Sequence, residues 1–108
     1  MRERIGGSLK ADMTIEEIVK KVSEISSVPE KEIVGKSRKM EIAQARQVSM
    51  FLSREILGKS LSGIGMYFGG RDHTTVMHAI KTISEKVDTD DVISNTISKL
   101  RTDLNQSF

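Results

Sequence analysis

Four consecutive side chains, Asp72, His73, Thr74 and Thr75, are short, polar and able to hydrogen-bond, and they stand between Gly69-Gly70-Arg71 and apolar Val76. An Asp carboxylate accepts from cytosine N4, His and Thr bond to bases or phosphates, and a Thr methyl packs on the thymine methyl. Set at the start of a helix, such a run could read the edges of base pairs. Each residue also has a plainer reading. Asp72 is a natural helix N-cap, Thr74 and Thr75 fit any first turn, His73 suits solvent, and His78 suits a half-buried place near the core. The base-reading alternative gains from the context: a short helix before the run, a glycine turn, and a basic segment upstream.

Other chemistry finds little support. The chain has no cysteine, which excludes a disulfide framework, a thiolate metal site and a cysteine nucleophile. His73 and His78 are five residues apart, not the i, i+4 spacing of paired helical zinc ligands, and no third ligand is near them in sequence. Val34-Gly35-Lys36-Ser37 resembles the end of a phosphate loop, but that motif requires glycine where Glu30 stands. No Ser-His-Asp or paired-carboxylate arrangement can be argued, so no catalysis is expected. No apolar run approaches the ~18 residues of a membrane span. Met1-Arg2-Glu3-Arg4 leads into no hydrophobic segment, so no secretory signal is read and a cytoplasmic protein is expected.

The elements that would position these residues are all helical. Thr14 reads as an N-cap with Glu16 and Glu17 in the first turn, and Ile15, Ile18, Val19, Val22 and Ile25 recur at helical spacing to Ser26. Pro29 opens a short helix to Val34, which Gly35 closes. A long helix spans Met40 to Leu57, with Gly58 as its stop. On it Ile42, Ala45, Val48, Leu52 and Ile56 share an arc of about 120°, the core face. Arg46, Gln47 and Arg54 share an arc of about 100° on roughly the opposite side, with Ala43 and Met50, a face expected to be open to a flat partner. Ser60 caps a short helix from Leu61 to Phe68, with Leu61, Ile64 and Phe68 on one side. Asp72 caps a helix from His73 to about Val87, with Val76, Ala79, Ile80 and Ile83 inward. Thr89-Asp90-Asp91 starts a last helix to about Asn105, carried by Val92, Ile93, Ile97, Leu100 and Leu104.

With 108 residues the chain fits one domain, and nothing reads as a strand or a repeat. The expected fold is all-α, a compact bundle of about six helices containing a helix-turn-helix, Trp-repressor-like in type. Residues 1–12, with two adjacent glycines and few apolar side chains, are read as a loosely ordered leader, and 13–108 as the domain. The net charge of +2 implies nothing alone, but its distribution does. From Lys36 to Lys59 six basic residues (Lys36, Arg38, Lys39, Arg46, Arg54, Lys59) face two acidic ones, and beyond Glu85 the balance reverses. A basic middle suits a polyanion on one face.

The run Gly69-Gly70-Arg71-Asp72-His73-Thr74-Thr75-Val76-Met77-His78-Ala79 resembles the signature of the C-terminal DNA-binding domain of the DnaA family of bacterial replication initiators. The likeness continues through Ile64-Gly65, Ala45-Arg46-Gln47 and Lys36-Ser37-Arg38-Lys39, and covers about Ile15 to Val87. The resemblance implies double-stranded DNA as partner, in the form of an asymmetric DnaA box of the TTATNCACA type at a replication origin. It implies base contacts in the major groove by Asp72, His73, Thr74 and Thr75, and Arg38 in the adjacent minor groove. Lys36, Lys39, Arg46, Gln47, Arg54, Leu61, Ser62 and Arg71 would hold phosphates. Met40 and Gln44 stand where some members have arginine, and Ala45 and Ser62 where some have proline, which leaves a backbone N–H at Ser62. The family also carries an ATPase module that binds ATP. That module is not in this chain, so no cofactor is expected here. The domain is expected to act as a monomer, with other initiator subunits or regulators as further partners. The rival reading is a helical protein-interaction module that docks a replication regulator.

Overall fold

Local signals account for most helix boundaries. Thr14 opens α1 (Ile15–Ser26) with both halves of a capping box: its hydroxyl accepts from the Glu17 amide at 3.3 Å, and its own amide donates to the Glu17 carboxylate at 3.4 Å. Pro29 sits one position outside α2 (Glu30–Ile33), in extended geometry, rather than inside it. Lys39 precedes α3 (Met40–Leu57), which stops at Gly58 as the sequence indicates. Ser60 caps α4 (Leu61–Tyr67) by accepting from the Gly63 amide at 3.0 Å. Asp72 does the same for α5 (His73–Thr89) through the Thr75 amide. The last helix, α6 (Asp91–Gln106), follows after a single residue, Asp90. The computed structural model describes residues 13–106, so the leader expected over 1–12 lies outside them. No strand occurs among the described residues.

Of the six helices α3 is central, with α1 on one side and α5 on the other, while α6 closes the bundle against α1 and α5. The core is one continuous cluster built from Ile18, Ile33, Met50, Leu52, Ile64, Phe68, Ile83, Ile97 and Leu100, all fully buried, with their smaller neighbours. Each large side chain removed from water contributes about 1.5–3 kcal/mol. No described helix is long and apolar enough to cross a membrane.

Faces of four helices differ from those the sequence leads one to expect. The side of α3 opposite its apolar stripe is open only in part: Arg46 is 7% exposed and Met50 1%, whereas Gln47 is half-buried and Arg54 exposed. The reason is that α3 is central, and α5 covers much of its second side. Val92, expected inward, is 72% exposed. The seam of α6 runs through Ile93, Ile97, Leu100 and Leu104, and Val92 falls about 110° from its mean direction at 100° per residue. Ile80 and Leu61 are half-buried at the margins of their apolar faces.

Candidate nucleic-acid interface

The link between α4 and α5 is a tight turn that only glycine permits at two kinds of position. Gly69 and Gly70 have φ of 87° and 80°, left-handed values that favour glycine. Gly65, inside α4, lies so close to the start of α5 that a Cβ there would collide with the Arg71 carbonyl oxygen. Its own carbonyl accepts from the Gly70 and Arg71 amides at 3.0 and 2.9 Å. A seven-residue helix, this turn and a seventeen-residue helix make a helix-turn-helix.

The turn aims the amino end of α5 at solvent. Asp72, His73, Thr74 and Thr75 are all exposed, while Val76 directly behind them is fully buried and anchors the helix. Asp72 Oδ1 accepts from the Thr75 amide at 2.9 Å, so the capping role read for Asp72 is present in the structure. That hydrogen bond is the main reason its carboxyl sits below the usual carboxylate range.

Beside this helix end lies the basic loop between α2 and α3. Lys36, Arg38 and Lys39 are exposed on it, and the Lys39 amide donates to the Ser37 hydroxyl at 3.3 Å. Arg54 is exposed near the end of α3, with Nη1 on the Lys59 carbonyl at 2.8 Å. Ser62 is exposed and Leu61 half-buried in the first turn of α4, where amides have no intrahelical acceptor.

Arg46 and Arg71 occupy different places from those expected of phosphate ligands. Arg46 is buried, and its guanidinium donates to three carbonyls: Ile33 from Nε at 2.7 Å, Ser37 from Nη1 at 3.0 Å and Glu32 from Nη2 at 3.0 Å. Its side chain is taken up by the protein because α3 is covered on that side and the α2–α3 segment presents carbonyls to it. Burial is the main influence lowering its pKa, followed by the nearby Arg71 charge, and Glu32 acts in the opposite direction. Arg71, part-buried, donates from Nη2 to the Gly35 carbonyl at 2.6 Å, and its buried Nε has no protein partner. Gln47 remains half-buried, on the wall of a groove between α3 and α5.

That groove has a volume of about 260 Å³; Arg46, Gln47 and Met50 line it from α3, Thr75, His78 and Thr82 from α5. His78 is exposed there, not half-buried. The sequence reading did not assign His78 or Thr82 to the site, although the spacing Thr75, His78, Thr82 (i, i+3, i+7) places all three on one side of α5. Among the described residues, no group of three or more His, Asp or Glu side chains could hold a metal ion.

A helix-turn-helix whose second helix begins in exposed polar side chains, flanked by a basic loop, defines the class of this protein. Residues 15–83 match the family model described as the bacterial dnaA protein helix-turn-helix, and the chain belongs to that family. It is 43% identical over 89 residues to the chromosomal replication initiator protein DnaA of Chlorobaculum tepidum, a match covering 82% of this chain and 18% of that protein. The protein of the same description from Limosilactobacillus reuteri is 41% identical over 95 residues, covering 88% of this chain and 22% of the relative. The one from Ruegeria pomeroyi is 44% identical over 89 residues, covering 82% and 19%. The chain thus spans about a fifth of the length of these relatives.

Proposed function

We propose that this chain binds duplex DNA sequence-specifically at DnaA boxes of a replication origin, as the DNA-binding part of a replication initiator. The observation that carries this reading is the exposed amino end of α5, held by the turn at Gly69-Gly70 next to the basic loop that bears Arg38. In a helix-turn-helix the first residues of the second helix meet base edges in the major groove, which assigns base reading to Asp72, His73, Thr74 and Thr75. Arg38 enters the neighbouring minor groove, where A·T-rich sequence narrows the groove and strengthens its negative potential. Lys36, Lys39, Gln47, Arg54 and the Leu61-Ser62 turn hold phosphates. The module works as a monomer on one box, in the cytoplasm on the nucleoid. ATP, in this scheme, binds the separate ATPase module that the family carries.

A gel shift against a DnaA box and a scrambled duplex of equal length, at physiological salt, tests the reading. Binding to the box at least tens of times tighter than to the scrambled duplex is expected, since specific and non-specific affinities typically differ by roughly 10³–10⁷. Equal binding to both duplexes would refute base reading, and no binding to either would favour the docking-module alternative.

A further inference from the structure

Arg38 rides on a loop, and a loop whose conformation is loose in the free protein reads a groove poorly, because the entropy lost in ordering it on binding offsets the attraction to the groove. This loop is gripped. Arg46 donates to the carbonyls of Glu32 and Ile33 on one side of Gly35 and to that of Ser37 on the other, next to Arg38. Arg71, one residue before the cap of α5, donates to the carbonyl of Gly35 itself. Two guanidiniums, one from the central helix and one from the turn before α5, therefore hold different carbonyls of one short stretch, Glu32 to Ser37. Carbonyl dipoles meet the buried Arg46 cation directly, and none of the described salt bridges includes it. A guanidinium suits this, because its planar fork offers several donors in fixed directions, which an ammonium on a long stem does not.

We propose that Arg46 is a positioning residue for minor-groove reading: with Arg71 it latches the 35–39 loop to the helix-turn-helix, so that Arg38 and the amino end of α5 meet adjacent grooves as one rigid unit. The inference rests on the reading that Arg38 enters the minor groove. It replaces a phosphate contact for Arg46 with an action through Arg38.

The experiment uses the full chain and three duplexes: a box, the same box with 2,6-diaminopurine for adenine at the A·T pairs facing Arg38, and the same box with a thymine 5-methyl removed under α5. The first change adds an amino group only to the minor groove, and the second alters only the major groove. Wild-type protein should lose roughly tenfold on the 2-amino duplex, the scale of one base-edge contact. Arg38→Ala should erase that discrimination. Arg46→Met should erase it as well, while keeping the discrimination against the demethylated duplex; Arg46→Lys should fall between. The double variant R38A/R46M should bind no more weakly than R38A.

A phosphate ligand would behave otherwise. Arg46→Met would then keep the 2-amino discrimination, weaken all duplexes alike, add to R38A, and lower the salt slope by about one unit; that result overturns the proposal. If R38A itself keeps the discrimination, the minor-groove reading has failed, and this outcome is distinct because it appears before Arg46 is touched. Should Arg46→Met fail to fold by circular dichroism, Arg71→Met, which removes only the Gly35 contact, must show the same selective loss. Retained discrimination in a folded Arg71→Met overturns the shared latch.

Discussion

Gly65→Ala sets two principles against each other. Inside a helix, alanine is favoured over glycine by about 0.5–1 kcal/mol, so helix propensity alone makes this substitution stabilising. The tertiary structure gives the opposite sign. A Cβ on Gly65 would collide with the carbonyl oxygen of Arg71, with the Arg71 carbonyl carbon at 3.1 Å and Val76 Cγ2 at 3.5 Å beyond it. The carbonyl belongs to backbone, not to the tip of a pliable side chain, so α4 and the start of α5 must separate. Overpacking of this kind costs about 1–3 kcal/mol. Separation also strains the two hydrogen bonds that the Gly65 carbonyl accepts from Gly70 and Arg71, each contributing about 1 kcal/mol. The net expectation is a loss of roughly 2–4 kcal/mol, a large part of the about 5–15 kcal/mol that holds a typical domain folded. Urea unfolding followed by circular dichroism measures it, with the denaturant slope compared to confirm that the transition stays two-state. The melting temperature should fall by at least about 8 °C. Gly63→Ala is the control, because its Cβ meets only the Ser60 hydroxyl, at 3.1 Å, and it should change stability by no more than about 1 kcal/mol. A Gly65→Ala protein as stable as the parent would refute the close approach on which the orientation of α5 depends.

Other perturbations reach the interface itself. His73→Ala or Thr75→Ala should weaken the box by about 1–3 kcal/mol and leave the scrambled duplex nearly unchanged in competition titrations; equal losses on both would remove that residue from base reading. Arg54→Ala should weaken both duplexes alike and lower the slope of log affinity against log salt by about one unit, and an unchanged slope would take Arg54 off the phosphate backbone. Asp72 has a folded-state pKa below its ordinary value, chiefly through the Thr75 amide. The stability it contributes is therefore present above the ordinary carboxylate pKa and is lost as pH falls through the lowered one. Asp72→Ala should accordingly lower the urea midpoint at neutral pH, and the gap to wild type should close as the solution is acidified. A gap independent of pH would mean that the cap is not acting through its charged form.

How much of this was legible in the sequence depended on how local the signal was. The six helices follow from apolar spacing and from caps a few residues away, as at Thr14 with Glu17 or Ser60 with Gly63. The exposed run from Asp72 to Thr75 was legible for the same reason: an N-cap, a glycine turn and buried Val76 lie within seven residues of one another. His78 and Thr82 were accessible to the same arithmetic, through their spacing from Thr75, yet their facing of α3 was not. What the sequence did not show concerns partners far along the chain. Arg46 reaches carbonyls 9 to 14 residues away, and Arg71 reaches one 36 residues away.

A helical wheel reports which side of α3 is polar, but not how many sides are covered. Residue order alone settled that the chain is helical, where its helices begin and end to within a residue or two, and which four side chains open α5, because hydrogen bonds within a helix and its caps span only three or four positions. Assembly settled that α3 is buried on two sides, that Val92 faces outward, and that Arg46 and Arg71 turn inward to hold the loop bearing Arg38. Those outcomes depend on which surfaces meet when six helices close on one core, a property of the whole packing that no short window of sequence contains.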